Sequence, residues 1–399
     1  MNILQLCHKP PQPSIDGGCI AMNNITEGLL NNNCNLKIIT VGTIKHPFRL
    51  EKLDNDYIKN TNIEGVFVDT KLNVVDAFSN LVTSDSYNIS RFFSSDFDSL
   101  LTETLKNNDF DFIHLESLFM TPYLHTIRRL SKAKIILRSH NLEYMIWERL
   151  ARKTINPAKK VYLNILSRQL KTYEINILNN IDGIAAISKA DLLKYQKLGC
   201  IKPMMTIPFG INMKNYKFIE KKLDLKNIRF FHLGSMDWKP NLEAVTWLLK
   251  EIWPSIHASF PNSSLHIAGR KMPDWIVEEK ITGVINHGEV ESANEFINQN
   301  DIMLVPLLSA GGMRVKIIEG MALGKTVISS KIGAEGINYK DGENILIANN
   351  IDEYKKIINK LIEQPQMIND IGSKAREFVN GYYNNKLITE KLIQFYKDV

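Results

Sequence analysis

The clearest candidate for chemistry is a glycine-rich turn that leads into a charged helix, LSAGGMRVKIIEGMALGKTVISS (308–330). Its chemically informative residues are Gly311, Gly312, Arg314, Lys316 and Glu319. The two glycine amides could donate to an anion at a helix start, and Arg314 or Lys316 could neutralise its charge. Glu319 lies further along the helix and offers a carboxylate to ribose hydroxyl groups. The segment therefore predicts a site for a diphosphate and a ribose; the alternative is a solvent-exposed charged helix face.

A second glycine pair ends the segment HKPPQPSIDGG (8–18), directly before a predicted helix. The amides of Gly17 and Gly18 would lie at a helix N-terminus, where they could approach a phosphate or a sugar. The alternative is a proline-stiffened turn that needs glycine for its backbone angles.

Three further polar residues lie close to the ends of predicted strands. His140 directly follows AKIILRS (133–139), and Arg270 follows IAG at the end of another strand. Because open parallel sheets bind ligands at the carboxyl ends of their strands, both could reach a ligand. Glu143 either contacts a ligand or is a first-turn acid favoured by the helix dipole. For His140 and Arg270 the alternatives are a structural histidine and a surface arginine.

Metal chemistry has weak support in the sequence. The triplet DFD, a type that can hold a divalent ion, occurs at 96–98 and 109–111, but the second copy runs into the strand FDFIHL (110–115). The histidines and cysteines lack metal-ligand spacing. We therefore predict no metal and no cofactor.

Short β-branched runs alternate with helical stretches along the whole chain, as consecutive βα units require. The predicted strands are 2–6, 36–42, 110–115, 133–139, 183–188 and 205–209, then 229–234, 264–269, 284–288, 302–306, 326–330 and 344–348. These runs are continuously apolar, which favours parallel sheets covered on both faces. The sequence thus predicts an α/β fold with two Rossmann-like, doubly wound domains that face a cleft.

The domain boundary is predicted at FGINMKNYKF (209–218), between the two βα series. This gives an amino-terminal domain over 1–208 and a carboxyl-terminal domain over 209–380. The tail from 381 to 399 is predicted to be helical and to pack back on the first domain.

Composition excludes several classes of protein. The chain has 399 residues, 44% of them apolar and 23% charged, which is typical of globular domains rather than disordered or fibrous ones. Its apolar runs are too short to span a bilayer, and the start MNILQLCHKPP lacks the features of a signal peptide. The four cysteines show no disulfide or CxxC pattern. We therefore expect a cytoplasmic protein.

The positive charge is concentrated in residues 126–172, which hold twelve basic and two acidic residues. Such a patch attracts an anionic partner. Tyr162, Leu166, Tyr173 and Ile177 recur there at near-helical spacing, so the segment could bind an anionic surface of the inner membrane. The alternative is a core-facing helix with a solvated basic side. Nucleic acid is not expected, because no binding motif accompanies the charge.

Several stretches together resemble the retaining glycosyltransferases of family 4 (glycosyl transferases group 1), which have the GT-B fold and use nucleotide-activated sugars. In the first half the resemblance rests on the glycine pair at 17–18 and on LRSHNLEYMIWERLA (137–151). In the second half it rests on LGSMDWKPNLEAVTWL (233–248), LHIAGR (265–270), NHGEV (286–290) and the block from 308 that ends GAEGI.

The resemblance implies roles for particular residues. In the family a glutamate of the last block contacts the donor ribose, and Glu319 occupies that place. Gly311 stands where the family's other signature glutamate falls. Gly234 and Lys239 correspond to the donor-phosphate region after the first strand of the second half. The donor would be held by these residues together with Gly312, Arg314, Lys316 and Arg270.

The expected activity is that of a hexosyltransferase-like enzyme. A UDP- or GDP-sugar would bind the second domain, and a glycan or lipid-linked acceptor would lie near Gly17, Gly18 and Glu143. His140 is the implied catalytic residue, which would position groups or stabilise charge. The family implies a role in bacterial cell-surface polysaccharide or lipopolysaccharide synthesis. Two alternatives remain: a sugar-nucleotide epimerase or hydrolase, and a non-catalytic partner subunit, the latter because Gly311 replaces a family glutamate.

Overall fold

The chain divides into two compact units. The amino-terminal unit comprises Met1–Gly210 together with Asn385–Val399, and the carboxyl-terminal unit comprises Ile211–Asn384. The structure, a computed structural model, describes residues 1–70, 87–220, 223–278, 280–309 and 312–399. Sequence analysis sets the boundary after residue 208 and begins the tail at residue 381.

The amino-terminal unit is built on a parallel sheet that has seven strands within the described residues. They are β1 (Asn2–Cys7), β2 (Asn35–Gly42), β3 (Glu64–Phe67), β4 (Phe112–Glu116), β5 (Lys134–Ser139), β6 (Gly183–Ala186) and β7 (Met204–Thr206). Their spatial order is β3-β2-β1-β4-β5-β6-β7, so the chain winds outward from β1 in both directions. Such an order needs a helical crossover after almost every strand.

Helices cover both faces of this sheet. They are α1 (Gly17–Asn31), α2 (Asn55–Thr61), α3 (Tyr87–Ser90), α4 (Ser95–Asn107), α5 (Leu124–Leu130), α6 (Glu143–Lys153), α7 (Pro157–Leu178), α8 (Lys189–Lys197) and, from the end of the chain, α16 (Asn385–Asp398). Successive strand residues point to opposite faces. Leu4 therefore packs with α4 and α7, whereas Ile3 packs with α1 and α16. The final helix fills the second face of the amino-terminal sheet.

The carboxyl-terminal unit repeats this logic with a parallel sheet of six strands over its described part. These are β8 (Arg229–Leu233), β9 (Ser264–Ala268), β10 (Val284–Gly288), β11 (Ile302–Val305), β12 (Thr326–Ser329) and β13 (Leu346–Ile347), in the order β10-β9-β8-β11-β12-β13. Its helices are α9 (Lys239–Trp247), α10 (Trp253–Ser259), α11 (Asp274–Glu278), α12 (Ala293–Gln299), α13 (Val315–Ala322), α14 (Ile351–Glu363) and α15 (Gln366–Tyr382). The prediction of two Rossmann-like parallel-sheet domains is confirmed.

Two local features do not follow from the sequence patterns described above. The edge strand β3 was not predicted, because the segment EGVF is short and half-exposed and lacks a buried apolar run. The helical stretch from Lys239 to Ser259 is not one regular helix but consists of α9, a π-helical turn (Leu248–Ile252) and α10. Pro254 in the first turn of α10 has no N–H group, so a regular α-helical hydrogen bond is lost there and the winding changes.

Candidate functional site

The candidate donor site lies where β11 leads into α13. The residue before α13 is Arg314, which is buried and in the extended conformation, and its guanidinium donates to the Glu335 carbonyl at 3.4 Å. Gly312 has φ +73°, a left-handed conformation that favours glycine. Gly311 lies outside the described residues. The turn therefore delivers the amino-terminal end of α13 to the carboxyl edge of the sheet, where amides and dipole favour anions.

Lys316 in the first turn of α13 points toward the end of β8. Its Nζ atom donates to the Leu233 carbonyl at 2.9 Å and to Asn241 Oδ1 at 2.7 Å. Burial of the ammonium, with a further contribution from Arg314, lowers the pKa of Lys316 to about 7, although Glu319 opposes the shift. The cation is thus held by neutral oxygens, and an anionic ligand would stabilise its protonated form.

Glu319 lies on the same helix, and among the described residues its carboxylate accepts a hydrogen bond from one side chain. The hydroxyl of Tyr216 donates to its Oε1 atom at 2.9 Å. Burial raises the pKa of Glu319, while Tyr216 and Lys316 oppose that rise. Lys316 and Glu319 therefore place a cationic group and a carboxylate close together on α13. The predicted diphosphate and ribose contacts require these two groups.

The remaining predicted donor residues are placed differently. Gly234 follows β8, and a Cβ atom there would lie 2.7 Å from the Nζ atom of Lys316, so only glycine allows this close approach. Arg270 follows β9, and its carbonyl accepts from the main-chain amide of Met236 at 2.8 Å. Lys239 begins α9, where its exposed ammonium lies 3.9 Å from Glu243 on the same helix. The structure brings Gly234 and Lys316 together, whereas Lys239 points into solvent.

In the amino-terminal unit, the carboxyl ends of β1, β4 and β5 gather a polar cluster around His140. The Nε2 atom of His140 lies 2.7 Å from Oε2 of Glu116, the last residue of β4. His8, directly after β1, donates from Nδ1 to the Glu116 carbonyl at 2.8 Å, and its ring meets the His140 ring edge to face at 5.7 Å. Burial lowers the pKa of His8 to about 3, so its ring is neutral.

Glu116 is fully buried and has four donors. Oε1 lies 3.1 Å from the Gln5 amide and 3.1 Å from His114 Nε2, while Oε2 lies 3.2 Å from Arg138 Nη1 and close to His140. Burial acts to raise the pKa of Glu116, but Arg138, His114 and His140 outweigh it and hold the pKa well below its usual range. Burial also lowers the pKa of His140, against the opposing effect of Glu116.

Side chains of the protein itself already occupy the start of α1, where the glycine pair lies. The Asp16 carboxylate caps the helix by accepting from the Cys19 amide at 2.9 Å, and it pairs with Lys9 at 2.7 Å and with His46 at 2.8 Å. Gly18 is needed because a Cβ atom there would lie 2.5 Å from the Lys9 Nζ atom. Gly17 begins the helix. The local geometry thus matches the alternative of a structural turn, with Lys9 as an added cation.

One group of potential metal ligands lies at this turn: within the described part of the chain, Asp16, Cys19 and His46 place one ligand atom each within 4.8 Å of one another. A bound divalent cation would have to compete with the Lys9 ammonium for Asp16. Burial raises the pKa of Cys19 to about 12, so the thiol stays protonated and is a poor ligand. These residues do not fit a resident metal ion, and the absence of a metal stays a prediction.

Glu143 is buried at the first turn of α6 and lies close to a second buried acid, Glu174. The Glu174 carboxylate accepts from the main-chain amides of Glu143 and Tyr144 at 3.0 and 3.1 Å, so it caps α6 from a distance. Burial raises the pKa of Glu143 to about 7 and that of Glu174 to about 8. Glu143 is therefore part of a structural acid pair next to the His140 segment.

The basic segment 126–172 includes α6, α7 and their connection. Exposed aliphatic side chains cluster around this connection: Ile155 is 97% exposed, Val161 60% and Leu150 42%. Lys159 and Lys160 are also exposed in the first turn of α7. In the parts of the chain that the structure describes, no helix combines the length and apolar character needed to cross a bilayer.

Sequence reasoning missed Glu116, His8 and Tyr216. Glu116 directly follows the predicted strand 110–115, and His8 lies two residues after the predicted strand 2–6. The rule that selected His140 would therefore also have found both. Tyr216 lies in the predicted interdomain segment, and nothing in its local pattern points to a contact with Glu319.

Residues 227–364 match the family described as Glycosyl transferases group 1. A Klebsiella pneumoniae relative, described as an uncharacterized 44.6 kDa protein in cps region, is 25% identical over 305 residues, which is 74% of this chain and 76% of the relative. The fold is similar to that of sucrose-phosphate synthase from Thermosynechococcus elongatus, with a TM-score of 0.73 and 15% identity over 100% of this chain and 99% of that one.

A second similar structure is HepE from Anabaena, determined in complex with UDP. It has a TM-score of 0.69 and 14% identity, and the match covers 100% of both chains. Together, the family match and the two Rossmann-like units support a group 1 glycosyltransferase with the GT-B fold.

Proposed function

We propose that this protein transfers a hexosyl residue from a UDP- or GDP-sugar to a glycan or lipid-linked acceptor, with retention of configuration. The observation that carries the proposal is the arrangement of Lys316 and Glu319 on α13, at the carboxyl edge of the sheet and within the segment that matches group 1 glycosyltransferases. Polysaccharide synthesis is the proposed context, because the Klebsiella relative comes from a cps (capsule) region.

In the proposed complex the donor binds the carboxyl-terminal unit. The diphosphate accepts from the Gly312 amide and from Arg314 and Lys316, which offset its charge as the bond to the sugar breaks. Glu319 accepts from the ribose hydroxyls through the oxygen that Tyr216 leaves available. Uridine is the favoured base, since HepE was determined with UDP.

The acceptor is proposed to bind the amino-terminal unit near His140. In a retaining transfer the leaving phosphate can take the acceptor proton, so the role of His140 is to orient the hydroxyl groups of the acceptor. This role suits a half-buried, neutral imidazole. No step requires a metal or a cofactor.

The proposal is tested by measuring both binding and transfer. Thermal unfolding with a panel of UDP-, GDP- and ADP-sugars identifies the donor, because a ligand of the folded state raises Tm. Calorimetry then compares Glu319→Gln with Glu251→Gln, an exposed acid of the same unit. We expect about 10-fold to 100-fold weaker binding for Glu319→Gln and unchanged binding for the control.

Transfer is measured with the donor so identified and a mixture of cell-envelope acceptors. His140→Ala should bind the donor normally and lose most of its turnover. Equal transfer by wild type, Glu319→Gln and His140→Ala would refute these assignments, and an absence of nucleotide binding by the wild-type protein would refute the function.

We also propose that the α6–α7 connection binds an anionic membrane surface. Ile155 and Val161 could enter the headgroup region, while Lys159 and Lys160 pair with lipid phosphates. Vesicles with and without anionic phosphatidylglycerol test this. Binding should require the anionic lipid, weaken with salt, and be lost in the double variant Ile155→Ser/Val161→Ser.

Ile201→Ser provides the matched control for vesicle binding, because Ile201 is 83% exposed on the same unit but lies outside the basic segment. Equal vesicle binding by the control and the double variant would contradict the proposed surface.

A second candidate is a sugar-nucleotide epimerase or hydrolase. The grouping of His8, Glu116 and His140 favours it, because such enzymes use neighbouring histidines and carboxylates as acids and bases. Product analysis without added acceptor separates the two. An epimerase or hydrolase consumes the sugar nucleotide at its full rate under that condition, whereas a transferase needs the acceptor.

A further inference from the structure

The buried Glu116–His140 contact is the most constrained polar arrangement near the proposed acceptor site. An ionised carboxylate offers about four acceptor positions, and four donors surround Glu116. Thr26 in turn donates to the Gln5 amide oxygen at 2.9 Å. Because its two oxygens have two donors each, the carboxylate cannot rotate without breaking several hydrogen bonds.

The network extends to the last helix of the chain. The hydroxyl of Tyr396 on α16 lies 2.5 Å from the Nδ1 atom of His114, whose Nε2 atom faces Glu116. A carboxylate can only accept, so the Nε2 atom of His114 carries a proton, and the Tyr396 hydroxyl forms its hydrogen bond with the other ring nitrogen, Nδ1. The final helix therefore contributes a hydroxyl group to the hydrogen-bond network around Glu116.

The same reasoning defines the proton on His140. Its Nε2 atom lies 2.7 Å from a carboxylate oxygen that Arg138 keeps ionised, and such a short contact requires a proton on that nitrogen. Arg138 Nη1 lies 3.3 Å from the same nitrogen, but a guanidinium can only donate. It therefore cannot accept the Nε2 proton, which is left for Glu116. Among the described residues, the hydrogen bonds of His140 all run through Nε2, which leaves Nδ1 available.

We propose that Glu116 is a positioning residue that holds His140 in the Nε2–H tautomer, so that Nδ1 accepts a hydrogen bond from a hydroxyl of the bound acceptor. This inference rests on the proposed function and deepens it. The charged and titratable groups around His140 are Glu116 on β4, Arg138 on β5, and His8 and Lys9 after β1. Of these, Glu116 and Arg138 contact Nε2.

The tautomer can be measured directly on the wild-type protein. Histidine-selective ¹⁵N NMR at pH 7.5, assigned by the signal that disappears in His140→Gln, should show a protonated Nε2 and an unprotonated Nδ1. An Nδ1–H tautomer would overturn the proposal. This measurement needs no transferase activity, so it decides the Glu116 inference even if the proposed function fails.

Kinetics then test the functional consequence. Glu116→Gln should lower kcat about 10-fold to 100-fold with the donor KM within about twofold of wild type, and should lower the pKa of His140 further. Asp98→Asn is the matched control, since Asp98 accepts from Thr126 at 2.6 Å on another part of the same unit. Wild-type kcat in Glu116→Gln would overturn the proposal. If Glu116→Gln does not fold, Tyr396→Phe replaces it, and an unchanged His140 pH titration and kcat in that variant would count against the network.

Discussion

Both candidate sites hold charged side chains at the carboxyl edge of a parallel sheet, but the charged groups have different kinds of partners. In the amino-terminal unit the Glu116 carboxylate is neutralised by Arg138 and saturated by donors from the protein itself. In the carboxyl-terminal unit the Lys316 ammonium is held by a carbonyl and an amide oxygen, and Glu319 by a tyrosine hydroxyl.

This difference indicates different tasks. A buried carboxylate whose acceptor positions are all used is held rigidly and gains little from an added charge, which suits the orientation of a neutral hydroxyl group. A partly desolvated cation with neutral partners gains when an anion arrives, which suits the binding of a diphosphate. We infer that the amino-terminal cluster orients a hydroxyl group and that the carboxyl-terminal cluster binds an anionic diphosphate.

The largest effect is expected from removing the cation of the carboxyl-terminal cluster. Lys316→Met should weaken nucleotide-sugar binding by about 100-fold, because a charge-assisted hydrogen bond contributes about 1.5–3 kcal/mol. Lys356→Met, an exposed lysine on α14, should bind normally. Calorimetry measures the nucleotide-sugar affinity of both variants. Equal affinities would contradict the role of the carboxyl-terminal cluster in binding the diphosphate.

The second effect is a pH dependence of nucleotide binding. Lys316 has a pKa of about 7 in the free protein, and a bound diphosphate would raise it, so binding takes up a proton above pH 7. Affinity should fall from pH 7 to pH 9, by at most about tenfold per pH unit. Calorimetry in buffers of different ionisation enthalpy counts the protons. Proton release, or an affinity that does not change with pH, would contradict the prediction.

The smallest expected effect is a pH dependence of stability that comes from Glu174 in the amino-terminal unit. Burial raises the pKa of Glu174 to about 8, so the folded state binds this proton more tightly than the unfolded state. Its contribution to stability is therefore lost as the pH rises from about 4.5 through 8, by at most about 1.4 kcal/mol per pH unit.

Glu174→Gln should accordingly flatten the decrease of Tm between pH 6.5 and pH 8.5, measured by calorimetric unfolding. Nucleotide affinity should stay at the wild-type value, because Glu174 serves α6 rather than the donor site. A steeper decrease of Tm in the variant, or a loss of nucleotide affinity, would show that the two clusters are not separate in function.

The sequence predicts the fold well because parallel strands buried on both faces have continuously apolar sequences. For example, the predicted strand AKIILRS at 133–139 contains the buried strand β5 (Lys134–Ser139). The edge strand β3 is not predicted, because partly exposed strands carry little apolar signal.

The candidate site is predictable only where a motif is local. Arg314, Lys316 and Glu319 lie in one turn and helix, so their joint placement follows from sequence spacing. The partners Glu116 and Tyr396 lie on β4 and α16, 280 residues apart. Only the folded unit brings Glu116 to His140 and links Tyr396 to Glu116 through His114. Sequence spacing also gives no indication that Asp16 and Lys9 already occupy the start of α1.

A crystal structure of the protein with bound UDP-sugar tests the central claim most directly. We predict the diphosphate within hydrogen-bonding distance of the Lys316 Nζ atom and the amino-terminal end of α13, with the ribose hydroxyls on the Glu319 carboxylate. A nucleotide bound elsewhere on the carboxyl-terminal unit, or on the amino-terminal unit, would contradict it.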